Sequence, residues 1–476
     1  MKKIIFLLTI VCFCVNSFSQ SDNSFVCRYG FTFEISQQRN WGYTKPVVLT
    51  VNPNTSAHSE GLKINDVIEQ INGQPTEGQT IETIINWLQN PNISDTELMI
   101  SNLKEKNKKV NLDKYCLLKN ALTEKDLTGI YSFYSLEDAQ TRAFECPFKT
   151  TTNSDVNLIN YKTFGFIRPD INNEQLEKTI NEAIRKNLEE KGLKYSDTNP
   201  DLIIHTYYNY NKNLNYRKSM NSDKLPTVSR YNMNTKAMED LPIYYNPLIN
   251  SNQAEFFLNL GIRLVDRKKS SDNNLFIVWE CEANEFLKSN YTLDNYAGFH
   301  VPLMLMQYPY PKSMSVAKFY YNRSKYNYTG INYNLDNLKQ IVDVEQGSPA
   351  VKAGLLPGDV IERINNIKFT NDTKSADNNY KQFIFKTMSL RDEKTQFTNA
   401  EGFSRCMYWD KLKYAQISDE FKKPEYTTTF SYLFYFEPYI NLSGTNIVSF
   451  NIIRDKQKME IKVQPIIVSE EIFENQ

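Results

Sequence analysis

The feature that most constrains this chain is a segment that it uses twice. The segment runs first from Val51 to Gly73 and again from Val344 to Asn366. The two copies align without a gap and match at Val51/Val344, Ala57/Ala350, Gly61-Leu62/Gly354-Leu355, Asp66-Val67-Ile68-Glu69/Asp359-Val360-Ile361-Glu362 and Ile71-Asn72/Ile364-Asn365. Such a repeat implies two copies of one small folded unit. Local chemistry predicts its shape. Ser348 caps a single helical turn from Pro349 to Ala353, with proline at the first position. Gly354 takes the left-handed position that ends the turn, and Leu355 follows as an apolar plug. Pro357-Gly358-Asp359 makes a tight turn, Val360, Ile361 and Ile364 read as a buried strand, and Asn365-Asn366, like Asn72-Gly73, reads as a hairpin turn.

These residues resemble the PDZ family in its bacterial envelope form. The second copy follows that pattern closely; the first lacks the helix-starting proline at Thr55-Ser56-Ala57-His58. The resemblance implies a glycine loop whose amides receive a carboxylate, followed by a strand that pairs with an extended peptide by edge addition. In the first copy Tyr29, Gly30, Phe31, Thr32 and Phe33 occupy the loop and strand positions. A helix capped by Thr80 and carrying Ile81, Ile84, Ile85 and Leu88 forms the far wall, so Phe33, Ile84 and Leu88 are expected to make the apolar pocket. In the second copy Thr329, Gly330, Ile331, Asn332 and Tyr333 take the corresponding places. A closed reading stands beside this one, in which Phe31 and Phe33 fill a core and the unit is a spacer.

The first unit spans 25–118, closing with a hairpin of Glu97–Ser101 and Lys109–Leu112. The second spans 329–467, closing with Asn446–Ile453 and Lys458–Val463, and carries a long insertion at about 371–444. Tyr380–Met388 is the candidate groove helix there, and Phe403–Trp409 and Tyr432–Phe436 belong to the part that covers or extends the groove.

Residues 119–157 read as a linker, with Ile130–Tyr134 as one strand and Thr150–Asn157 as a polar stretch. Residues 158–328 read as a central α+β domain. Its strands are Ile159–Ile167, Leu193–Tyr195, Asp201–Tyr207, Phe256–Val265 and Leu275–Glu282, with a break at Arg168-Pro169-Asp170. Leu176, Ile180, Ala183, Ile184 and Leu188 form the stripe of one dominant helix ending at Gly192. Four groups of residues are similar to an envelope domain-of-unknown-function family, number 4136: Tyr161-Lys162-Thr163-Phe164, Asn199-Pro200-Asp201-Leu202, Leu264-Val265-Asp266 and Val278-Trp279. That family brings no activity, and the insertion between Asn209 and Asn252 departs from it. The fold class is therefore α+β multidomain: two PDZ-like small β-barrels with helices flanking a central sheet-and-helix domain.

With 55 Lys+Arg against 55 Asp+Glu over 476 residues, the formal charge is zero, which leaves no electrostatic footprint for nucleic acid. Lys2-Lys3, the apolar run Ile4–Val15 and Ser17-Phe18-Ser19 read as a signal peptide over 1–19, cleaved before Gln20. No later segment reads as a membrane span, so the expected product is exported, periplasmic or otherwise envelope-associated. Cys27, Cys116, Cys146, Cys281 and Cys406 show no metal-ligand spacing, and no metal or cofactor is expected. Buried single thiols are their expected state, with Cys27–Cys116 the pair to test for a disulfide if both lie on end strands of the first unit. His58 reads as a surface residue, His205 as half-buried and satisfied, His300 as a loop residue. Zincin, serine-elbow and aspartic-protease motifs are absent from the sequence. The reading is an exported binding or scaffold protein that captures extended or C-terminal peptides. Two alternatives come from other classes: an envelope peptidase or peptidase subunit with unrecognised catalytic residues, and a structural or carbohydrate-contacting envelope protein using the tyrosine-rich insertions.

Overall fold

The computed structural model describes residues 25–475, apart from 54, 91–92, 94, 132–138, 168–172, 218–226, 245–252, 272, 289, 370–381, 394–406, 408, 427–428 and 434–446. The signal-peptide reading, Cys406, the break at Arg168–Asp170 and most of the 371–444 insertion lie outside these residues. The architecture is multidomain and mostly β, with several sheets and some helices.

The first unit contains β1 (Phe25–Arg28), β2 (Phe31–Ile35), β3 (Pro46–Val51), the single turn α1 (Ser56–Ser59), β4 (Val67–Ile71), β5 (Gln74–Pro75), α2 (Ile81–Leu88), β6 (Asp95–Ser101), β7 (Lys108–Asp113) and β8 (Tyr115–Leu118). Its main sheet runs β2-β3-β4-β6-β7, while β1 pairs separately with β8. Alternation sets the buried face: Thr96, Leu98 and Ile100 of β6 point inward with Val110 and Leu112 of β7. Thr80 caps α2 through its side chain, which accepts from the Thr83 amide. Trp41, Val47, Val67 and Leu103 join the core of the central domain, which ties this unit to it.

Residues expected as a linker are built into sheets on both sides. They form β9 (Ala121–Thr123), α3 (Glu124–Tyr131), β10 (Ala139–Cys146) and β11 (Phe148–Thr152). Ile130 and Tyr131 are helical rather than extended because Thr123 and Asp126 close a reciprocal cap: the Asp126 amide donates to Thr123 Oγ1 at 3.0 Å and the Thr123 amide to Asp126 Oδ2 at 3.1 Å.

The central sheet has eight strands. They are β11 with β12 (Thr163–Phe166), β13 (Lys194–Tyr195), β14 (Leu202–Lys212), β15 (Thr227–Asn232), β16 (Ala237–Tyr244), β17 (Phe256–Asp266) and β18 (Ile277–Leu287). The order is β13-β12-β14-β17-β18-β16-β15, with β11 also on β18. Two of these, β15 and β16, come from the 209–252 insertion. The dominant helix α4 (Glu174–Glu190) buries Ile180, Ile184 and Leu188. A second helix, α5 (Leu293–Leu305), is capped by Thr292 and buried on nearly every side, and it carries His300, which is therefore a core residue and not a loop residue.

From β19 (Ala317–Tyr328) the chain enters the second unit: β20 (Ile331–Asn334), β21 (Ile341–Val344), the turn α6 (Pro349–Ala353), β22 (Val360–Ile364), β23 (Ile367–Lys368), α7 (Tyr414–Phe421), β24 (Val448–Arg454) and β25 (Gln457–Val463). Residues 382–386 are helical within the span expected for a groove helix. A final strand, β26 (Ile466–Asn475), returns to pair with β19, whose other edge carries β10. Phe144, Phe319 and Phe473 stack across these three strands with centroids 5.2 to 6.0 Å apart. Tyr231 of the central domain stacks on Phe473 at 4.5 Å.

Candidate peptide-binding grooves

The two repeat units share the geometry of the loop that precedes their edge strand. Gly30 has φ +85° and Gly330 φ +88°, in the left-handed region, and a Cβ on either would fall 2.1 to 2.2 Å from Thr55 or Ser348. The Gly30 carbonyl accepts from the Asn52 amide at 2.7 Å and the Gly330 carbonyl from the Glu345 amide at 2.8 Å. The Tyr29 carbonyl accepts from Ala57 and the Thr329 carbonyl from Ala350, at 3.2 and 2.8 Å. In both units the carboxylate of the repeated aspartate accepts the amide three residues earlier, Lys63 to Asp66 and Leu356 to Asp359, each at 2.9 Å.

The grooves beside these loops differ. In the first unit β2 is the end strand of its sheet, and among the described residues only β3 pairs with it. Phe31, Phe33 and Ile35 pack partly buried against the core, and Thr32 is exposed. Ile84 and Leu88 are core residues, 0% and 6% exposed, and so do not line an accessible pocket as expected. Ile81 and Ile85 of α2 are accessible and, by helical spacing, share a flank with Leu88. Tyr29 is a strut: its hydroxyl donates to the Leu88 carbonyl at 2.7 Å and lies 2.6 Å from Thr96 Oγ1, fixing the loop to the end of α2. At the far end of β2, Glu34 pairs with Lys312 at 2.8 Å and Gln38 donates to the Pro311 carbonyl at 2.7 Å.

In the second unit the corresponding edge is filled by the chain itself. β9 lies antiparallel on the outer edge of β20, opposing Thr123 to Asn332, Leu122 to Tyr333 and Ala121 to Asn334. The next residue, Glu124, turns its carboxylate into the glycine loop. Its Oε2 accepts the Thr329 amide at 2.7 Å and the Gly330 amide at 2.9 Å; its Oε1 accepts the Tyr432 hydroxyl at 2.6 Å and the Thr329 hydroxyl. Burial pushes the Glu124 carboxyl up to about 7 against the pull of these donors. Tyr432 belongs to the insertion, in the buried turn Thr429–Leu433, and its hydroxyl also lies 2.6 Å from that of Tyr333. Thr329, Gly330, Ile331, Asn332 and Tyr333 are thus all buried beneath chain-derived cover. The five residues expected to hold a peptide from outside hold β9 and Glu124.

A profile of the PDZ domain matches residues 47–100, and one of DUF4136, a domain of unknown function, matches residues 148–310. The crystal structure of a PDZ domain protein from Parabacteroides distasonis superposes with a TM-score of 0.82, at 44% identity over 95% of this chain and all of that one. This chain belongs to that family of PDZ domain proteins. Other solved structures overlap far more loosely: a PelC dodecamer from Paraburkholderia phytofirmans at 9% identity, over 34% of this chain and 95% of that one with a TM-score of 0.18, and an HtrA-type protease AlgW with a decapeptide at 11%, over 52% and 62% with a TM-score of 0.15. No curated protein matches.

This PDZ domain protein carries a DUF4136 domain whose interior holds a buried polar cluster that sequence reasoning missed. Arg230 Nη1 donates to the Glu285 carboxylate and to His300 Nε2, the latter at 2.9 Å, and His300 Nδ1 donates to the Tyr296 carbonyl at 2.9 Å. Desolvation, with Arg230 beside it, holds His300 neutral, well below the usual imidazole range. Its members come from β15, β18 and α5, so no local spacing could reveal them. Glu124 was missed for the same reason; the Thr123–Asp126 cap beside it is the local signal that could have found its helix. Cys146 and Cys281 are buried free thiols; Cys116 is disulfide-bonded and stands opposite Cys27 in the β1·β8 ladder, so single thiols do not describe all five of the cysteines read above. No described helix is long and apolar enough to cross a membrane.

Proposed function

We propose that this PDZ domain protein is exported to the cell envelope and captures an extended peptide or a partner's C-terminus on the outer edge of β2. The PDZ domain and the P. distasonis relative support a peptide-binding or scaffold role. The observation that carries the specific reading is the end position of β2, paired on one side alone among the described residues; the accessible Ile81–Ile85 flank of α2 is read as the wall of the same groove. Edge addition needs such an unpaired row of backbone groups, and side-chain wells at alternate positions then select the ligand. The amides of Tyr29 and Gly30 occupy the same place in their loop as those that hold Glu124 in the second unit, and they supply the site for a terminal carboxylate. The disulfide at Cys116 supports an oxidising compartment. The second unit, which repeats the first in loop geometry, is read as a second PDZ-like fold.

Titration of the whole mature protein with a panel of peptides bearing free or amidated C-termini tests this reading. Free-acid peptides are expected to bind, amidation to weaken them by about tenfold or more, as loss of a charge-assisted hydrogen bond does, and Ile85→Glu to abolish binding without unfolding the protein. Equal binding of free and amidated peptides, or binding untouched by Ile85→Glu, would contradict it.

A further inference from the structure

We infer that the groove of the second unit is a ligand site for a carboxylate-capped strand, and that the chain loads it in cis with Ala121–Glu124. Three independent features of a bound ligand coincide there. The segment adds as an antiparallel strand to the free edge of β20. A carboxylate directly after that strand meets two consecutive backbone amides, Thr329 and Gly330. A hydroxyl from the covering insertion, Tyr432, completes the cradle on the other carboxylate oxygen. Ordinary linker packing requires none of the three, and a linker's backbone is normally satisfied by water at the surface.

The cis ligand leaves the first unit almost at once, since β8 ends at Leu118 and β9 begins at Ala121. Flanking contacts set its register: the Asn120 carbonyl accepts from the Leu335 amide at 2.7 Å, the Asn120 side-chain amide donates to Asn334 Oδ1 at 3.1 Å, and the Asn332 side-chain amide donates to the Tyr115 hydroxyl at 3.0 Å. Occupancy of the second groove therefore fixes the first unit against the second. The two copies have different jobs: one presents an edge, and the other grips the chain that connects it.

Hydrogen exchange on the whole mature protein, without added ligand, separates this from the proposal for β2. Glu124→Ala is expected to speed exchange of the Ala121–Thr123 and Ile331–Asn334 amides by roughly 10- to 100-fold, the range for losing hydrogen bonds to a charged group. Residues 47–100 should keep their wild-type rates. Glu124→Gln, which retains an acceptor for the two amides, should give a smaller change, and Tyr432→Phe, which deletes one donor, is the milder variant should Glu124→Ala fail to fold. An amidated peptide of residues 117–124 added to Glu124→Ala should restore slow exchange at Ile331–Asn334 and should have no effect on wild type, whose site is filled. Unchanged exchange in both Glu124→Ala and Tyr432→Phe, an equal rise throughout 47–100, or no rescue at millimolar peptide would overturn the inference.

Discussion

Glu124 concentrates the chemistry of the molecule in one side chain. Its folded carboxyl is raised from 4.5 to about 7, first by desolvation, so the folded state holds a proton that the unfolded chain releases across that window. Stability therefore falls as pH rises from about 4.5 to about 7, by up to about 3 kcal/mol. Asp66, raised by burial to about 6, and Glu345, also raised by burial, act in the same direction elsewhere. Around Glu124 itself stand the phenols of Tyr326, Tyr328, Tyr333 and Tyr432, and Tyr326 in turn feels the carboxylates of Glu470, which pairs with Lys125, of Glu345 and of Asp126. Denaturant midpoints across pH for wild type and Glu124→Gln isolate the residue: the variant should show the shallower slope, and identical slopes would contradict the assignment. Gly330 is the second decisive residue. Its left-handed φ and the 2.2 Å approach of a Cβ to Ser348 lead us to expect Gly330→Ala to cost about 3 kcal/mol, seen as a lowered unfolding midpoint.

Single elements explain what sequence could and could not show. Ser348 capping Val351, Pro349 at the helix start, Gly354 at φ +92° and the positive φ of Asn365-Asn366 and Asn72-Gly73 are all local, and all were readable from residue type. Thr80 and the stripe of Ile180, Ile184 and Leu188 were readable in the same way. Pairings between distant strands were not: β9 on β20, β10 and β26 on β19 and β11 on β18 depend on register across long separations that no short pattern encodes. Of the site, the glycine loops were legible and their occupancy was not. The β1·β8 pair belongs to this scale as well. Removing the bridge with Cys116→Ser should lower stability by about 2–4 kcal/mol, measurable as a lower urea midpoint that reductant no longer shifts.

At the scale of the whole molecule, the first unit, the DUF4136 domain and the second unit are bound by shared structure and not strung along linkers. Trp41 and Leu103 enter the central core, β10 and β19 bridge to the C-terminal strand, and Phe473 stacks between Phe144, Phe319 and Tyr231. Truncation after Gln464 removes β26, leaves an edge of β19 unpaired and uncovers that aromatic stack. Such an edge favours association, so the truncated protein should elute as higher oligomers than the intact chain. Of the two repeat units' glycine-loop strands, β20 is covered on its outer edge by β9, whereas β2 is paired by β3 alone among the described residues. Hydrogen exchange with and without a saturating free-acid peptide tests the claim most directly. The account predicts new protection at Phe31–Ile35 and none at Ile331–Asn334; protection gained at Ile331–Asn334, with Ala121–Thr123 released, would contradict it.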